Sequence, residues 1–64
     1  MRVQIEFHDG SVEIVSGVYR IWLCTQDKTI TMWRQSTPDI VSLKEDIKRV
    51  SVGKSSVIWE EARQ

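Results

Sequence analysis

Ser36-Thr37-Pro38-Asp39-Ile40-Val41-Ser42-Leu43-Lys44-Glu45-Asp46-Ile47-Lys48-Arg49-Val50-Ser51-Val52 admits two readings, and the fold turns on the choice between them. Read as a helix, Thr37 is the N-cap and Pro38 the first helical position. Ile40, Leu43, Ile47 and Val50 then recur at spacings of three and four, and Gly53 is the stop. Ser42 and Glu45 form a capping-box pair that offers a second, shorter start. Read as strands, the same stretch is rich in β-branched Ile and Val and holds no Ala, a composition that costs rotamer freedom in a helix and suits a pleated surface. The strand reading is preferred. It places strands at about Asp39 to Leu43 and Ile47 to Val52, with one helical turn at Lys44-Glu45-Asp46. Gly53-Lys54 then turns the chain into a last short strand around Val57 to Trp59.

The rest of the chain supports a mostly β protein, with eight Val and seven Ile against two Leu and one Ala. Residues 2 to 8 alternate strictly, with Val3, Ile5 and Phe7 on one face and Arg2, Gln4, Glu6 and His8 on the other. Asp9-Gly10 suits a two-residue type I′ turn, which sets Phe7 opposite Val12 and Ile5 opposite Ile14. A reversal at Ser16-Gly17 sets Ile14 against Tyr19 and Val12 against Ile21, so a third strand runs from about Val18 to Thr25. A polar reversal around Gln26-Asp27-Lys28 leads into a fourth strand, about Thr29 to Arg34, pairing Leu23 with Ile30 and Ile21 with Met32. The expected apolar face comprises Val3, Ile5, Phe7, Val12, Ile14, Tyr19, Ile21, Leu23, Ile30 and Met32.

This plan of a long meander, a short strand, a tight helical turn and a final strand resembles small SH3-like and Sm-like barrels. It implies a five- to six-stranded barrel or a strongly curved antiparallel meander. The alternative is a four-stranded antiparallel meander packed on one C-terminal helix, an α+β fold. Residues 1–59 read as a single small β domain, and Glu60 to Gln64 as a polar C-terminal tail that frays.

Composition narrows the function. At 64 residues the chain makes one domain, burying only about 60% of its unfolded surface against an ordering cost of roughly 1.5 kcal/mol per residue, so self-association is a ready source of stability. Nine Lys and Arg balance nine Asp and Glu, which leaves no global field to draw the chain onto phosphate or anionic lipid. One cysteine, Cys24, makes no internal disulfide, and the N-terminus has no apolar leader; a cytoplasmic setting is the expectation. No apolar run approaches the ~20 residues that span a bilayer.

Chemistry-bearing groups are few. His8 beside Asp9 suggests a general base, but a position next to a turn favours a solvated His and a turn-forming Asp. Cys24 falls near the end of the third strand with no cationic cluster to lower its pKa. Structural zinc wants four Cys or His ligands, and the chain has two such residues. The carboxylate pairs Glu45-Asp46 and Glu60-Glu61 lack the alternating oxygen ligands of a calcium loop, and the three glycines are isolated. The expectation is a protein that is not an enzyme and uses no metal or cofactor.

The other face of the expected sheet stands out. Arg20 lies opposite Trp33, Trp22 opposite Thr31, and the two indoles are diagonal neighbours. Val15, Val18 and Cys24 add apolar area, and Glu13 is the expected partner of Arg20. Three uses compete for this face: burial beneath the C-terminal segment, a protein–protein interface on Arg20, Trp22, Thr31 and Trp33, or nucleic-acid binding. In the last, the indoles stack on bases while Arg20, Lys28 and Arg34 meet phosphates. Zero net charge favours the protein interface, homo-oligomeric or with a larger partner, over nucleic acid. Trp59 reads as a core plug or the anchor of a docking tail. Lys44, Lys48, Arg49 and Lys54 form a weaker basic edge. A small regulator or inhibitor is a role that such a compact, neutral chain suits.

Overall fold

A computed structural model describes residues 1–35, 37–43, 46–54 and 56–61. The described residues form seven strands and no helix: β1 (Val3–Phe7), β2 (Val12–Val15), β3 (Arg20–Cys24), β4 (Thr29–Arg34), β5 (Thr37–Ser42), β6 (Ile47–Val52) and β7 (Ser56–Glu60). They make two antiparallel sheets, in the orders β2-β1-β6-β7 and β3-β4-β5. No described strand of one sheet pairs with a strand of the other, so no closed barrel results.

Within the ambiguous stretch, Thr37–Ser42 and Ile47–Val52 are strands. Thr37 and Pro38 open β5 instead of capping a helix, and Ser42 ends that strand. Pro38 is tolerated because β5 is an edge strand, where a missing N–H breaks no ladder if it faces outward. The expected α+β alternative fails here: Ile47 and Val50 lie on one strand, and the register shift between Glu6 and Phe7 in the β1–β6 pairing brings both to the core despite their odd spacing. Of the expected helical turn at Lys44-Glu45-Asp46, the first two residues lie outside the described residues. The expected 60–64 tail is shorter than read, since Glu60 belongs to β7 and the Glu61 N–H donates to the Lys48 carbonyl at 2.9 Å. Residues 62–64 lie outside the described residues.

The first hairpin differs from the expected register by one residue. The Phe7 N–H donates to the Ser11 carbonyl at 2.9 Å, and the Gly10 N–H to the Phe7 carbonyl at 3.1 Å. Of His8, Asp9 and Gly10, only Gly10 takes a positive φ, 91°, whereas a type I′ turn needs two such residues. The loop is thus a three-residue turn with a left-handed glycine. It pairs Glu6 with Val12, Ile5 with Glu13 and Val3 with Val15. A one-residue slip turns a strand over: Val15 enters the core, while Val12 and Ile14 are 49% and 52% exposed.

The expected β2–β3 hairpin is also absent. Ser16-Gly17 bends the chain so that Val18 hydrogen-bonds Met1 in both directions, and β3 then starts the second sheet. Val18 is buried, and Tyr19, expected in the core, is exposed with its hydroxyl donating to the Gln35 carbonyl at 3.1 Å. The other edge of β1 is taken by β6, paired antiparallel with a register shift between Glu6 and Phe7, and the apolar face packs against the second sheet.

The core draws on both sheets: Val3, Ile5, Val15, Ile47 and Val50 from one, Ile30 and Met32 from the other, with Val18 and Leu43 from the connections. Each fully buried aliphatic side chain contributes about 1.5–3 kcal/mol relative to exposure. Phe7, Ile21, Leu23, Val41, Val52, Ile58 and Trp59 pack around it half-buried, so Trp59 lines the core from its place opposite Val50 on β7. No described helix is long and apolar enough to cross a membrane.

Candidate functional site

The β3–β4 ladder has the expected register, Arg20↔Trp33, Ile21↔Met32, Trp22↔Thr31 and Leu23↔Ile30. Alternation then sends Ile21, Leu23, Ile30 and Met32 inward and Arg20, Trp22, Thr31 and Trp33 outward. A four-residue polar loop makes the turn, with Lys28 in the left-handed region at φ 55°. All four residues of the expected interface therefore share one face, with Trp22 56% exposed and Thr31 and Trp33 half-buried.

β5 extends this face beyond the sequence reading. Thr31 lies between Trp22 and Ile40, and Trp33 between Arg20 and Pro38. Two cross-strand rows result, Trp22–Thr31–Ile40 and Arg20–Trp33–Pro38. Ile40 is 68% exposed and Pro38 is exposed beside it. The Arg20 guanidinium carbon stands 4.8 Å from the centroid of the Trp33 ring, a cation–π contact that sets the guanidinium over the indole face. Pro38 and Ile40 were missed because Pro38-Asp39-Ile40-Val41 carries apolar residues on both faces, and only the register separates them.

Other expected contributors lie elsewhere. Val15 and Val18 are buried in the core, not beside the indoles. Glu13 sits opposite Ile5 in the other sheet, and among the described residues it makes no ion pair with Arg20. Cys24, half-buried and opposite Thr29, ends the outward row of β3. Arg34 alternates to the face opposite Trp33 and is held by Asp39 at 3.0 Å. Lys28 is in the turn, so Arg20, Lys28 and Arg34 do not converge on one face.

The remaining polar groups are structural. Asp9 Oδ1 accepts from the Ser11 hydroxyl at 2.6 Å and the Ser11 N–H at 2.8 Å, and these bonds, the hydroxyl's first, hold its carboxyl below its ordinary value of 3.8. His8 Nε2 lies 3.0 Å from Glu61 Oε1, tying the first hairpin to the end of β7. Arg49 on β6 bridges Glu60 at 2.8 Å and Glu6 at 3.2 Å. The hydrogen bond that its Nε–H donates to Glu60 and the charges of Glu6 and Glu60 raise its pKa. Arg49 is thereby taken out of the expected basic edge, and Lys44 lies outside the described residues. No group of three or more His, Cys, Asp or Glu that would hold a metal ion occurs among the described residues.

Compared with known proteins, the chain matches no family model, no curated protein and no solved structure.

Proposed function

We propose that the chain is a non-enzymatic binding module that works through protein–protein contact, with the outer face of β3–β4–β5 as its surface. The observation that carries this reading is the pair of rows Trp22–Thr31–Ile40 and Arg20–Trp33–Pro38, which put two indoles, an isoleucine and a proline on one solvent-facing sheet surface. Trp and Arg are the residues most enriched at interface hot spots, and soluble chains rarely leave such apolar patches without a use. The partner is another protein or a second copy of this one, and the setting is the cytoplasm, in keeping with a lone cysteine. A regulator or inhibitor acts in this way, by occupying a partner.

For the fold, the reading is an SH3-like or Sm-like architecture whose two sheets leave the barrel open. Its support is the order of a hairpin, a three-stranded meander and a strand that returns to β1. Against a nucleic-acid surface stands the placement of the cations: Arg20 lies over Trp33, Lys28 is in the β3–β4 turn, and Arg34 pairs with Asp39 on the opposite side.

The test is Trp22→Ala and Ile40→Ser, each checked for an unchanged far-ultraviolet spectrum and melting temperature. Both substitutions are expected to abolish self-association in sedimentation velocity, or to remove the same proteins from a quantitative capture. Unchanged association by both folded variants contradicts the assignment.

A further inference from the structure

We propose that the cleft between β2 and β5 takes an extended segment of another protein as an added strand on the free edge of β2, with a basic side chain where the segment passes Glu13. The cleft, of about 380 Å³, lies where the two sheets fail to meet, and core side chains Ile5, Val15, Met32 and Val41 form its floor. β2 and β5 each end their sheet, so among the described residues both flanks are unpaired strand edges.

The hydrogen-bonding phase follows from the anchors. The Phe7 N–H to Ser11 carbonyl bond makes Ile5 with Glu13 and Val3 with Val15 the bonded pairs, so the N–H and C=O groups of Val12 and Ile14 point away from β1. On β5, the Leu43 N–H to Lys28 carbonyl bond likewise turns Pro38, Ile40 and Ser42 outward. Pro38 has no N–H to offer. The β2 edge is therefore the better template for a new strand.

Charge decides the occupant. Arg34 and Asp39, at the β5 side of the cleft, cancel each other at 3.0 Å. Glu13 has no ion-pair partner among the described residues and gives the cleft its net negative charge. A second copy of β2 is a poor occupant, because antiparallel self-pairing through Val12 and Ile14 centres on Glu13 and brings two carboxylates together. A strand from a different protein, apolar at alternate positions and basic opposite Glu13, meets both the floor and the charge. Pro38 and Ile40 line the cleft as well as the indole face, so the two surfaces meet along β5, but the strand site is on the β2 edge and Trp22→Ala tells the two readings apart.

The experiment uses two capped heptapeptides, Thr-Val-Thr-Lys-Thr-Val-Thr and its counterpart with Glu at the centre, titrated into the ¹⁵N-labelled protein with amide exchange as readout. The Lys peptide is expected to bind saturably and to slow exchange at the Val12 and Ile14 amides, with the Glu peptide roughly fivefold weaker, as one exposed ion pair allows. Glu13→Lys is expected to invert that order, Ile14→Pro to abolish binding of both, and Trp22→Ala to change neither. If Ile14→Pro does not fold, the inversion by Glu13→Lys decides. Absence of saturable binding at millimolar peptide, protection on another edge, or a preference unmoved by Glu13→Lys overturns the proposal.

Discussion

Arg20 and Trp33 are cross-strand partners on β3 and β4, and the guanidinium carbon sits 4.8 Å from the indole centroid. One contact thus orders the cation and the ring at the centre of the proposed interface.

Removing that contact has a small, measurable cost. Arg20→Ala is expected to lower unfolding stability by about 0.5–1 kcal/mol, the range for an exposed cation–π pair. Urea denaturation followed by Trp emission reads the difference, and an unchanged midpoint contradicts the contact.

The register of the first hairpin separates two isoleucines that strict alternation treats alike. Ile5 is buried and Ile14 faces solvent. Ile5→Ala is expected to cost about 2–5 kcal/mol, and Ile14→Ala about 0.5 kcal/mol or less. Equal losses in urea denaturation would restore the type I′ register.

Gly10 makes that register possible. Its φ of 91° disfavours any L side chain, and nothing lies within 4 Å of an added Cβ, so the cost of Gly10→Ala is conformational alone. A loss of about 1–2 kcal/mol is expected. No loss by thermal or urea unfolding contradicts the turn geometry.

Asp9 makes part of the stability pH-dependent. Because its folded pKa is lowered, by the Ser11 hydroxyl first and the Ser11 N–H second, its contribution is fully present above the ordinary value of 3.8 and is lost as pH falls through the lower folded value. The gap in melting temperature between wild type and Asp9→Ala is expected to be constant near neutrality and to close below pH 3.8. A gap that does not narrow as pH falls below 3.8 contradicts it.

The parts of the fold that alternation and turn chemistry decide were legible. The limits of β4 and the β3–β4 pairing follow from period-two patterns flanking a polar loop, and those of β6 from its β-branched residues ahead of Gly53. The errors lie where sequence carries no local signal. Asp9-Gly10 serves a two-residue or a three-residue loop equally well, and the choice flips β2. Gln35, at φ 56°, begins the two-residue link between Arg34 and Thr37, a position where Gln gives no turn cue. The β1–β6 pairing joins residues forty or more apart, a contact that no local pattern announces. For the site, Arg20, Trp22, Thr31 and Trp33 were readable from one hairpin. Pro38 and Ile40 needed the β4–β5 register, and the β2–β5 cleft needed the whole topology.

The central claim is that the outer face of β3–β4–β5 meets another protein. The most direct test is photo-cross-linking in the native cell, with a benzophenone side chain placed at Ile40 and, as control, at Ser51 on β6 of the other sheet. The account predicts discrete protein adducts, with this chain or another, from position 40 and not from position 51, and their disappearance when Trp22→Ala is added. Adducts to nucleic acid alone, or no adduct from position 40 in a folded protein, would contradict it.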